Sequence, residues 1–392
     1  MSRNSMGRRL VLSSFGEANG QLIGAMLDGC PAGMELSEAD IQPMLDRRRP
    51  VQSILYTQRK EGDVVKIISG TYRGRTTGAP IAMIMENQDT PSTHYELLRA
   101  YLRPGHADYT AMVKYGRFND IRGSGRFSGR ITATYVMAGA IARKLLRISL
   151  GVETCSYVQS IGTTAMAAAT AGASVAAPRG GGSGSAVAYD DATIYDNDVR
   201  CPDPAAAAAM RETLLATKRR ADSIGGVVQS VTTGVPVGLG EPIFGSLESD
   251  ISSAMFSIPS VKGVEFGSGF AGSELCGSEN NDTFALADDH DGSGGSPRII
   301  TRTNNSGGIL GGISNGMPIT MRVAFKPVPS LLKEQPAVNV DTMSEAPLTI
   351  KGRFDPCAVP RAPPIVDALV SLVIADHALV SGHMGPILSD EG

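Results

Sequence analysis

Tryptophan is absent from the 392 residues, and aromatic side chains make up only 5% of them. A core of any size must then be built from Val, Ile, Leu, Met and Ala. Histidine is scarce, at five residues. The five cysteines (Cys30, Cys155, Cys201, Cys276, Cys357) are odd in number, far apart and never in a CxxC pair. That spacing signals neither a zinc site nor a disulfide framework, and fits a reducing cytoplasm. There is no excess of positive charge either. The net charge of −3 argues against a general nucleic-acid binder, so no nucleic-acid partner is expected. No apolar run reaches the roughly 20 residues needed to span a bilayer. The most apolar stretch, residues 365–380, is interrupted by Asp367, Asp376 and His377, and reads as a buried helix. The opening MSRNSMGRRLVLSSFG lacks an apolar core before a small-residue cleavage site, so neither a signal peptide nor a membrane partner is expected.

Apolar residues at 42% are ample for a core, and 46 glycines imply many tight turns. Strands are expected at 9–14, 22–28, 64–70, 79–86, 226–234, 261–266 and 319–325. Ser37 and Asp40 are spaced to cap a helix over 37–49, which Pro43 should kink. A second capping box, Thr93 to Glu96, opens a helix that Pro104-Gly105 must stop. Apolar periodicity predicts a long buried helix over 131–149. Asp203-Pro204 and Gly225-Gly226 punctuate another over 204–224, and 249–257 also reads as helical. Residues 163–188 are nearly all Ala, Gly, Ser and Thr and read as a flexible insertion. Gly267-Ser268-Gly269-Phe270-Ala271-Gly272 matches GxGxxG after an apparent strand, but the residues just beyond it are poor helix formers, which argues against a dinucleotide fold.

The most informative stretch is Arg103–Arg130. It carries five arginines, one lysine, His106 and five glycines against two aspartates. Glycine lets a backbone approach a ligand closely. Guanidinium groups grip phosphate and carboxylate with two parallel bonds. His106 can exchange a proton near neutral pH. Together they describe a small-polyanion site with a proton-transfer group. Arg47-Arg48-Arg49 and the segments around Lys326 and Arg353 add further cations, while Asp355 is a base or a turn residue. No Ser–His–Asp order and no metal-ligand cluster is evident, so electron chemistry would have to come from a cofactor.

DGCPAG at 28–33, DRRRP at 46–50, RPGHADYT at 103–110, VRCPD at 199–203, VKGVEFG at 261–267, GGILGGISNG at 307–316, KPVPS at 326–330 and GRFDPC at 352–357 resemble the signature blocks of chorismate synthase. They occur in the family order and cover nearly the whole chain, with 163–188 outside the match. The resemblance implies one domain over residues 1–392 with an α+β fold. Antiparallel β-sheets would pack face to face, flanked by helical layers, as a β-α-β sandwich, normally assembled as a homotetramer. It implies conversion of 5-enolpyruvylshikimate 3-phosphate to chorismate and phosphate by anti-1,4-elimination, the closing step of the shikimate pathway. The cofactor would be reduced FMN, with NADPH as a candidate reductant for it.

By position, His106 would protonate the departing phosphate, and Asp355 would help deprotonate flavin N5. Arg48, Arg130 and Arg353 would bind the substrate's anionic groups. Arg126, Phe127, Ser128, Ala254, Gly311, Lys326, Pro327, Val328, Pro329, Ser330 and Arg353 fall where the family contacts FMN. Four departures stand out. The family's first block, GESHG, is Gly16-Glu17-Ala18-Asn19-Gly20, so Asn19 replaces the histidine assigned to flavin N1, and an amide does not titrate near pH 7. RSSAR has become Arg126-Phe127-Ser128-Gly129-Arg130. Phe354 stands before Asp355, and Ile54 replaces a second nucleotide-associated arginine. Two outcomes stay open: an active lyase with a retuned site, or a flavin- or polyanion-binding relative with weak or no turnover.

Overall fold

The computed structural model describes residues 4–50, 53–56, 62–87, 97–166, 188–287, 298–350, 352 and 354–388. The expected capping box at 93–96, Arg353 and most of the 163–188 tract lie outside them.

Two five-stranded sheets organise the described residues, and every strand pairing in them is antiparallel. The first runs β1 (Ser5–Met6), β2 (Val11–Gly16), β3 (Leu22–Asp28), with β4 (Lys66–Ile67) at the far edge beside β5 (Ile81–Glu86), which pairs with β3. The second contains β6 (Glu153–Ile161), β7 (Thr164–Ala165), β8 (Gly226–Thr233), β9 (Val261–Phe266) and β10 (Ile319–Phe325), in the order β9-β10-β8-β6-β7. Period-2 patterning explains these strands. In β10, Ile319, Met321, Val323 and Phe325 are buried while the residues between them are half-buried.

Six helices pack on these sheets or border the cavity between them. They are α1 (Glu38–Arg48), α2 (Asp108–Tyr115), α3 (Thr132–Leu150), α4 (Pro204–Arg219), α5 (Leu247–Met255) and α6 (Pro363–Val380). The Ser37/Asp40 capping box opens α1, and the helix continues through Pro43 to Arg48. Asp203 caps α4 with Pro204 in its first turn, as expected, but the helix ends at Arg219 rather than 224. Every residue of α6 except Val380 is buried. A helix apolar all round needs partners on all sides, and α6 has them: α3 and α5 on its flanks and β6 beneath. α3 in turn packs on β3 and β2.

The antiparallel α+β class thus matches the expectation, with one refinement of the layers. The helices α3 and α6 lie between the two sheets, in the β-α-β order, because both helices are apolar on two faces. Their backbones touch at Gly139, where an added Cβ would sit 2.3 Å from the Cβ of Ala368. The N-terminal strands are clipped to the same layer. Asp376 Oδ1 on α6 accepts the backbone N–H groups of Arg8, Arg9 and Leu10 at 2.9, 2.6 and 2.8 Å. The GxGxxG stretch enters a short 3-10 turn, Gly269–Glu274, on an exposed face, so the dinucleotide reading stays excluded.

Candidate active site

A cavity of about 760 Å³ opens where the C-terminal end of α1, the N-terminal end of α3 and the segment after β10 converge. That is within the usual range for a ligand site. Eight Arg or Lys side chains line it (Arg48, Arg49, Arg103, Arg126, Arg130, Lys262, Lys326, Arg361) against two carboxylates, Asp63 and Asp355. Such an imbalance attracts polyanions.

His106 sits on the cavity wall, in the turn that leads into α2. Its Nδ1 lies 2.6 Å from Asp108 Oδ1. Arg103 grips the same carboxylate: Nη2 donates to Oδ1 at 2.7 Å, and Nε and the backbone N–H donate to Oδ2 at 2.8 and 3.0 Å. Burial pushes the Asp108 carboxyl up, but the hydrogen bonds and charges of Arg103 and His106 outweigh it and hold it far below the usual range. Lys326 Nζ donates to the carbonyl of Gly105 at 2.7 Å, tying the segment after β10 to the histidine turn. Across from it, Gly123, Ser124 and Gly125 all adopt left-handed backbone (φ 56°, 70° and 51°). This sharp loop brings Ser124 Oγ within 3.1 Å of Arg103 Nη2, which donates to it.

The opposite wall is built around Asp63. Its Oδ2 accepts from Arg48 Nη1 at 3.2 Å, and its Oδ1 from Arg130 Nη1 at 2.5 Å. All three residues are buried. Burial raises the Asp63 carboxyl, yet Arg48, Arg130 and then Arg361 together hold it below the ordinary range. Arg48 also donates to Thr132 Oγ1 at 3.1 Å and to the carbonyls of Gly129 and Arg130 at 3.1 and 3.3 Å. Arg361 pairs with Asp355 Oδ2 at 3.0 Å, and its Nε donates to the Arg48 carbonyl at 3.3 Å.

Of the residues singled out in the sequence, Arg48, His106, Arg126, Phe127, Ser128, Arg130, Lys326, Val328, Pro329, Ser330 and Asp355 all line this one cavity. Among the described residues, the remainder do not. Pro327 lies beside it without lining it. Ala254 is buried in α5, whose following turn, Phe256–Val261, supplies wall instead. Gly311 lines a separate surface cleft with Ser246 and Ser268. Asn19 is buried behind the wall, with its Oδ1 over the Cα face of Gly123. The guanidinium of Arg126 is spent on β2, donating to Ser14 Oγ and the carbonyls of Gly16 and Ser14 at 3.1 to 3.2 Å. Asp63, Arg103 and Arg361 are participants that sequence reasoning did not single out individually. Asp63 follows a glycine and carries no motif of its own.

A family model described as chorismate synthase matches residues 10–379. The chain belongs to the chorismate synthase family. It is 45% identical over 383 residues to the chorismate synthase of Korarchaeum cryptofilum, covering 97% of this chain and 99% of the relative. It is 43% identical over 387 residues to that of Methanocella arvoryzae, covering 99% and 97%. A crystal structure of chorismate synthase superposes with a TM-score of 0.70 at 26% identity, covering 98% of this chain and 95% of the other. The activity is therefore a carbon–oxygen lyase reaction, 5-enolpyruvylshikimate 3-phosphate to chorismate and phosphate. Membership in the chorismate synthase family implies a reduced flavin as cofactor. The cationic wall fits both a flavin phosphate and an anionic substrate. Phe127, 36% exposed, offers an apolar face beside them.

Proposed function

We propose that the cavity binds 5-enolpyruvylshikimate 3-phosphate beside reduced FMN, and that His106 supplies the proton taken by the departing phosphate. The observation that carries this is the convergence of His106, Arg48, Arg130 and Lys326 on one cavity. Arg48 and Arg130 would orient the substrate's phosphate and carboxylates, since each guanidinium suits an oxyanion. Arg353, outside the described residues, joins them on resemblance alone. Lys326–Ser330 and the backbone of Arg126–Ser128 would hold the flavin, whose reduced ring would supply electron density for the elimination. Asp355, ion-paired to Arg361, would help deprotonate flavin N5, a role that rests on the family resemblance. Ala254 and Gly311 remain candidate flavin contacts from the family pattern, Gly311 from its own cleft.

The chain would act as one unit over 1–392 in a homotetramer. Ile243, Phe244 and Phe270, each more than 80% exposed beside the Gly311 cleft, support an association surface. Five free thiols support a cytoplasmic setting. NADPH is the candidate reductant, which following NADPH oxidation with FMN would test.

Anaerobic incubation with substrate and reduced FMN should release phosphate above a flavin-only control. No release, where a known family member turns over, would sink the reading. Asn19, which cannot titrate near pH 7, is the one observation behind a second reading, a binding relative with little turnover. Tight FMN binding without release, and turnover regained in Asn19→His, would establish it.

A further inference from the structure

Asp108, behind His106, has both carboxylate oxygens doubly engaged. An ionised carboxylate offers about four lone-pair positions. Here Oδ1 faces Arg103 Nη2 and His106 Nδ1, and Oδ2 faces the backbone N–H and Nε of Arg103. A proton on either oxygen would point at a donor, so the group is held as the anion.

That fixes the imidazole. Arg103 Nη2 also lies 3.1 Å from His106 Nδ1, and could donate to it if Nδ1 carried a lone pair. The carboxylate oxygen is closer, at 2.6 Å. Two lone pairs cannot face each other at that distance, so Nδ1 carries hydrogen. Arg103 Nη2 then donates to Asp108 Oδ1 and Ser124 Oγ. Ser124 adopts left-handed backbone, which disfavours a residue with a Cβ, and its hydroxyl meets Arg103 from there. The charge brought to the turn from the segment after β10, Lys326, contacts the Gly105 carbonyl.

We infer that Asp108 is a positioning residue that keeps a proton on Nδ1 of His106 and so makes Nε2 the atom that donates to the departing phosphate. This rests on the proposed lyase reaction at the same cavity. As the carbon–oxygen bond breaks, its electron pair leaves with the phosphate. The Nε2 proton moves to a phosphate oxygen, and a neutral imidazole with Nδ1–H remains against Asp108.

Asp108→Asn tests this with little change in shape. Turning the new amide NH₂ toward Arg103 would oppose two donors at Oδ2, so it faces His106 and Arg103 Nη2 instead. The ring must then accept at Nδ1, and the imidazolium is disfavoured. We expect kcat to fall by about 10²–10⁴-fold with KM within about threefold. Asp108→Glu, which keeps the acceptor, should recover part of the loss. Nitrogen-15 NMR of histidine-labelled protein, with the His106 signals assigned by their loss in His106→Gln, should show protonated Nδ1 in the wild type and the Nε2–H tautomer in Asp108→Asn. Unprotonated Nδ1 in the wild type would overturn the inference, as would unchanged kcat in Asp108→Asn. If that variant does not fold, the wild-type spectrum decides. The spectrum needs no turnover, so a wild type that releases no phosphate defeats the lyase reading separately.

Discussion

Arg130 Nη1 lies 2.5 Å from Asp63 Oδ1, and both side chains are buried. The second oxygen of Asp63 holds Arg48, so one carboxylate ties the end of α1 to the turn that starts α3. Removing one partner of a buried charge pair leaves the others uncompensated, at a cost of about 3–5 kcal/mol. Asp63→Ala should lose stability on that scale in urea unfolding at pH 7. The folded carboxyl titrates below its unfolded value. This contribution is therefore present above the unfolded range, near pH 4, and is lost as pH falls through the lower folded value. A variant as stable as wild type at pH 7 would show that the two arginines find other partners.

Much of this frame was legible in the sequence. β3, β9 and β10 run Leu22–Asp28, Val261–Phe266 and Ile319–Phe325, as their apolar patterning predicts. What failed did so for local reasons. No helix is expected inside the basic stretch, yet α2 runs Asp108–Tyr115 there and ends at Gly116, its left-handed C-cap. The strand expected over 64–70 shrank to Lys66–Ile67, since only those residues reach the β5 edge. The hairpin of Gln335–Asn339 and Ser344–Leu348 went unseen because Pro336 and Pro347 argue against strands. Asp63 is site-forming through contacts far apart in sequence, which no local pattern carries.

Gly139 is where α3 and α6 cross. Gly139→Ala should destabilise despite alanine's better helix propensity. The gain is about 1 kcal/mol, whereas an added methyl 2.3 Å from Ala368 Cβ forces backbone to move. Overpacking of that kind costs about 1–3 kcal/mol or more. A thermal melt with an unchanged or higher Tm would contradict the close crossing.

Lys326 contacts the Gly105 carbonyl with one of its three N–H groups, leaving others for a ligand oxyanion in the cavity. A hydrogen bond involving a charged group contributes about 1.5–3 kcal/mol. Lys326→Ala should therefore weaken FMN binding by about tenfold or more, read by flavin fluorescence titration. Equal affinity in the two proteins would place the flavin phosphate elsewhere.

Asp367 lies in the second turn of α6, fully buried, within reach of Arg143 on α3 and Ser156 on β6. Among the described residues, its Oδ1 makes no hydrogen bond of good geometry, although Ser156 on β6 lies near enough to favour the charged form. Burial pushes its carboxyl up to about 7, against the opposing pull of Arg143. The unfolded chain releases this proton near pH 4, while the native protein keeps it to about 7. Stability should therefore fall as pH rises between those values, then level off. The full effect is on the order of 4 kcal/mol. Asp367→Asn cannot ionise, so this slope should vanish. Relative to wild type the variant should gain stability from pH 4 to pH 8 in urea unfolding. Parallel pH profiles for the two proteins would mean that Asp367 is already charged in the native core.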